Sequence, residues 1–77
     1  MHRGGGVHTV PARTGKGWWN EMDDKVLSKH RIKRVAVAAG REIARRLEVE
    51  QSIHREDGAI TEKNSYGNDP HPPKDKN

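Results

Sequence analysis

Seventy-seven residues make one domain at most, and a domain of this size buries only about 60% of its unfolded-chain surface. With 30% hydrophobic residues, no Phe, one Tyr and two Trp, the apolar supply suffices for two packed layers but not for an enclosed catalytic cavity. No cysteine is present, which excludes disulfides, thiolate metal sites and thiol nucleophiles. A charged fraction of 34% and a mean hydropathy of −1.13 point to a folded centre with loose ends. The longest apolar run, Val35 to Ala39, is far too short for a membrane span or a signal-peptide core, so a cytoplasmic protein without membrane contact is expected. Net charge is +4 and uneven. Residues 1–48 hold eleven Lys/Arg against five Asp/Glu, and residues 49–77 hold four against six. A basic first half favours nucleic acid or an acidic protein surface as partner.

Residues 1–6 read as a flexible leader, because three glycines impose no backbone preference. His2 and His8 flank these glycines without metal-ligand spacing. Val7 to Pro11 has the β-branched content of a short strand ended by proline. Ala12 to Lys16 is a basic turn, and Gly17 to Met22 is the second strand. Adjacent Trp18 and Trp19 must then point to opposite faces. The indole left at the surface, beside Arg13, Lys16 and Lys25, is placed to stack on a nucleobase. Asp23-Asp24 turns the chain into a third strand, Lys25 to Ser28, short or absent.

Lys29 to Glu48 carries the helix, starting near Arg31 to Lys33. Ile32, Val35, Ala36, Ala39, Ile43 and Leu47 follow the i, i+3, i+4, i+7 pattern of a core-facing stripe. Arg34, Arg41 and Arg45 collect on the other side, within about 40° of one another at about 100° per residue. The first turn is basic, where the helix dipole favours anions, so Lys29, Arg31, Lys33 and Arg34 around free amides suggest a phosphate site. Gly40 in mid-helix implies close approach to the sheet, and Glu42 is spaced to pair with Arg46. Val49 to His54 and Ala59 to Lys63 form a second hairpin around Arg55-Glu56-Asp57-Gly58. Gln51 and Ile53 face one side and Ser52 and His54 the other. Residues 67–77 read as a polar, proline-bearing tail.

His54 with Asp57 and Glu56 is the candidate acid–base group. Catalysis also needs a nucleophile and a pocket, and Ser52 lies roughly 6–7 Å away along the strand. The five histidines lack ligand spacing, and no glycine loop for phosphate sits between a strand and a helix. These features point to a non-enzymatic domain with neither metal nor cofactor.

Four stretches are familiar together: His8-Thr9-Val10-Pro11, Gly17-Trp18, Ala39-Gly40-Arg41-Glu42-Ile43-Ala44, and the run from Ile53 through Gly58-Ala59-Ile60 to Ser65-Tyr66-Gly67-Asn68-Asp69-Pro70 and Pro72-Pro73-Lys74. With them the chain resembles the small bacterial family known as domain of unknown function 2188. Trp19-Asn20 and the basic helix opening Arg31-Ile32-Lys33-Arg34 depart from that family's usual residues. The resemblance implies a small α+β domain with one helix on an antiparallel sheet, and it implies no activity.

The expected fold is thus a two-layer α+β domain over residues 7–66, ordered β-β-β-α-β-β. The expected function is weak, salt-sensitive binding of a nucleic-acid backbone through Arg34, Arg41, Arg45, Lys33, Lys29, Arg13 and Lys16. The alternative is a protein-interaction module or homodimer that uses an exposed strand edge and the surface Trp.

Overall fold

The computed structural model describes residues 6–67. Most of the expected leader and tail therefore lies outside the described residues. The elements are β1 (Val7–Pro11), β2 (Trp18–Met22), β3 (Lys25–His30), α1 (Lys33–Leu47), β4 (Glu50–His54) and β5 (Ile60–Ser65). The third strand is real and, at six residues, as long as any other. The five strands form one sheet in the order β3-β2-β1-β4-β5, with the helix packed on one face.

Each short connection reverses the chain, so β1, β3 and β4 run one way and β2, α1 and β5 the other. That count makes β4 parallel to β1, with Val7 opposite Gln51 and Thr9 opposite Ile53. The other three pairings are antiparallel. It also gathers the 12–17 loop, the start of α1 and the 55–58 turn at one end of the molecule.

The turns obey their residue chemistry. Asp23 and Asp24 both take positive φ, the backbone of a two-residue hairpin turn. Gly58, at φ +95°, closes the second hairpin by donating its N–H to the Arg55 carbonyl (2.9 Å). The helix ends with Glu48 in the left-handed region. Val49 N–H donates to the Ala44 carbonyl and Glu48 N–H to that of Arg45, the Schellman arrangement normally completed by glycine.

The buried helix face differs from the expected stripe. Ile32, Val35 and Leu47 are 56%, 48% and 50% exposed, whereas Ala36, Gly40 and Ala44 are the buried positions. Small residues face the sheet because polar side chains fill the space beneath them. Gln51 Nε2 donates to Thr9 Oγ1 (3.1 Å) and to the Val37 carbonyl (3.0 Å). Thr9 Oγ1 donates to Asn20 Oδ1 (2.6 Å), and Asn20 Nδ2 donates to the Ala36 carbonyl (2.9 Å) and to Ser28 Oγ (3.0 Å). This polar row crosses β4, β1, β2 and β3 and satisfies groups that would otherwise be costly to bury. A Cβ at Gly40 would collide with Asn20 Oδ1 and sit 2.7 Å from Gln51 Nε2. The apolar core around the row is small: Val7, Ala12, Ala36, Ala44 and Ile53.

The row also sets the roll of the helix. Asn20 of β2 holds the Ala36 carbonyl and Gln51 of β4 holds that of Val37, so a step of about 100° moves toward β4. One step back, Val35 lies on the β3 side.

Candidate nucleic-acid interface

Asn20 faces the helix, so strand alternation turns Trp18 the same way and Trp19 toward the open face of the sheet. Both indoles are half-buried. Trp19 stands across from Lys29 in the β2–β3 register, and Lys29 Nζ lies 4.8 Å from its ring centroid. Arg13 reaches the same ring from the 12–17 loop, its guanidinium 5.3 Å from the centroid. A hollow of about 300 Å³ adjoins the indole, lined by Thr14, Lys16, Trp19, Lys29, His30 and Arg31. Its lining combines an indole with three cationic side chains, a combination that attracts anions and offers an aromatic surface.

Of the seven residues singled out from sequence, Arg13, Lys16 and Lys29 therefore converge on one indole. Lys33 stands at the same end on the helix side, its Nζ 4.9 Å from the Trp18 centroid. Arg34, Arg41 and Arg45 are exposed on the helix, away from the sheet and outside the Trp19 hollow. Glu42 pairs with Arg45 (3.9 Å) rather than with Arg46. Lys25 is opposite Met22 at the far end of the hairpin, so it does not neighbour Trp19 as the sequence suggested. His30 was not singled out from sequence, and Arg31 was read only as part of a phosphate site at the helix start. Their signal was local: they follow Lys29 at the end of a strand whose partner begins with the two tryptophans.

The rim is held as well as charged. Arg13 forms an ion pair with Glu21 (2.9 Å), which fixes the guanidinium beside Trp19 while offsetting part of its charge. Gly17, at φ +93°, brings the loop against the end of β3, where a Cβ would strike the His30 carbonyl. His30 Nε2 is 2.9 Å from Ser28 Oγ, which ties the hollow to the buried polar row.

The candidate acid–base residues His54 and Asp57 bond to other partners rather than to each other. His54 Nδ1 is 2.8 Å from the Gly58 carbonyl; a carbonyl only accepts, so Nδ1 carries the proton. Nε2 then accepts from His8 Nδ1 at 3.0 Å. Asp57 is engaged with Arg55 (2.9 Å) and the Ala59 N–H (3.0 Å), and Arg55 holds its carboxyl below the usual carboxylate range. Burial, and then the neighbouring His54, lower the pKa of His8 from its ordinary value. Among the described residues no cluster of three or more His, Asp or Glu is arranged to hold a metal ion, and no helix is long and apolar enough to cross a membrane.

No curated protein and no solved structure matches the chain significantly. Residues 7–66 match the model of the family described as "Uncharacterized protein conserved in bacteria (DUF2188)", and the chain belongs to that family.

Proposed function

We propose that this domain binds nucleic acid through the open-face end of β2 and β3, with a base on Trp19 and phosphates on Lys16, Lys29, Arg31 and Arg13. The observation that supports it is the convergence of four cations from three segments on one half-exposed indole. Stacking is sequence-tolerant because every base has a π-face, and phosphate contacts carry no base information. Binding is therefore salt-dependent and weakly selective.

Titration of a labelled single-stranded oligonucleotide between roughly 50 and 200 mM salt tests this. Three neutralised phosphates give a log–log slope near −2, from about −0.7 per contact. Trp19→Ala should weaken binding about tenfold or more, and Lys29→Ala/Arg31→Ala should flatten the slope. Salt-independent affinity, or full affinity in Trp19→Ala, would overturn the reading.

A second reading has its own support. Val26, Leu27, Ile32 and Val35, four of the six exposed large hydrophobics, belong to β3, its connection to α1 and the helix flank above it. Exposed apolar side chains along this edge of the molecule suit a protein partner. The strand edges suit one less, because β3 and β5 both carry lysines and are irregularly paired with their neighbours, devices that discourage strand addition. Loss of a concentration-dependent mass increase in Val35→Asp would favour this patch.

A further inference from the structure

We infer that Trp18 forms a second base-binding position on the helix side of the sheet, so that the ligand is a single-stranded polynucleotide wrapped around the start of β2. This rests on the reading of Trp19 as a base platform. Trp18 borders a hollow of about 460 Å³ together with Lys33, Arg55, Glu56 and Asp57. Like the Trp19 hollow it sets an indole beside cations from other segments, but two carboxylates share its lining. Arg55 and Asp57 pair with each other, so Lys33 is the cation left to meet an incoming phosphate and Glu56 the carboxylate that phosphate must avoid. Helix α1 begins beside this hollow without an acidic residue in its first turn and without a side-chain cap.

A groove of about 430 Å³, lined by Pro11, Ala12, Gly15, Gly17, Trp18 and Glu56, adjoins the Trp18 hollow along the 12–17 loop. It shares Trp18 and Glu56 with one hollow, and its loop supplies Thr14 and Lys16 to the other. Gly15 has open space where a Cβ would stand, so a sugar–phosphate backbone can pass close to the chain there. Consecutive residues of a strand face opposite ways, so the two indoles occupy opposite faces of the sheet. A duplex, stiff over about 150 base pairs, cannot turn through the thickness of one strand. A single strand can.

The test compares a mononucleotide, a single strand of about eight nucleotides, within the site sizes of small single-strand binders, and the corresponding duplex. Trp18→Leu should weaken the single strand about tenfold and leave the mononucleotide unchanged, and the duplex should bind more weakly than the single strand. Where circular dichroism reports that Trp18→Leu is unfolded, Lys33→Ala/Arg55→Ala replaces it with the same expected direction. Unchanged single-strand affinity in the folded variant, or duplex binding as tight as single strand, overturns the second position alone. Failure of the wild type to bind either the mononucleotide or the strand overturns it together with the Trp19 reading.

Discussion

Gly40 is the residue on which helix and sheet meet, and its hydrogen is all the polar row leaves room for. Gly40→Ala gains about 1 kcal/mol of helix propensity, yet its methyl must displace Asn20, Gln51 or Thr9, each of which satisfies buried groups. Leaving such groups unpaired costs about 1–3 kcal/mol apiece. The expected outcome is a net loss of about 2 kcal/mol or more, read from the urea midpoint at unchanged m-value. His8 carries a second prediction. Its pKa in the folded protein lies below the ordinary 6.5, so the unfolded chain binds more protons as the pH drops through that region. The stabilisation is complete above about pH 6.5 and is lost as pH falls through the lower folded value. Urea unfolding at pH 8 and at pH 5 should show this loss, and His8→Gln should reduce it.

Among the elements, two connections hold a side chain at a positive φ where glycine would fit better still. Glu48 ends α1 at φ +58° and Asp24 sits in the β2–β3 turn at φ +68°. The left-handed region costs an ordinary side chain about 1–2 kcal/mol, part of which glycine gives back in chain entropy. Glu48→Gly and Asp24→Gly should each stabilise the fold by about 0.5–1 kcal/mol, seen as a Tm rise of roughly 2–8 °C. Both lie at the opposite end from the tryptophans, so oligonucleotide affinity should stay unchanged, which separates stability from binding.

On the scale of the whole molecule, the charge is divided between two surfaces. One is the tryptophan end with Arg13, Lys16, Lys29, Arg31 and Lys33; the other is the helix back with Arg34, Arg41 and Arg45. Without an adjoining aromatic floor, the helix arginines act only by raising the local anion concentration. Arg34→Ala/Arg41→Ala/Arg45→Ala should therefore lower affinity less, and reduce the salt slope less, than Lys29→Ala/Arg31→Ala. A greater loss from the triple variant would move the interface to the helix. Element order, turn positions and the exposure of these arginines were legible in the sequence, because local propensity, turn chemistry and chain reversal determine them. The sheet was expected to be antiparallel throughout, and the parallel pairing of β1 with β4 departs from that: counting reversals orients β4 along β1, but only the assembled sheet makes them neighbours. The roll of the helix was not legible. Aliphatic periodicity centred the buried face near Ala39 and Ile43, whereas the packed face centres on Gly40, roughly 70° away at about 100° per residue. What turned it was the row Gln51–Thr9–Asn20–Ser28, whose members come from four strands and become neighbours only in the assembled sheet. The gathering of Arg13, Lys16, Lys29 and Arg31 around Trp19 was hidden for the same reason. Sequence alone determines which segments are strand, turn or helix, since those choices depend on nearby residues; which side chains meet depends on register and packing between distant ones, and only the tertiary structure decides that.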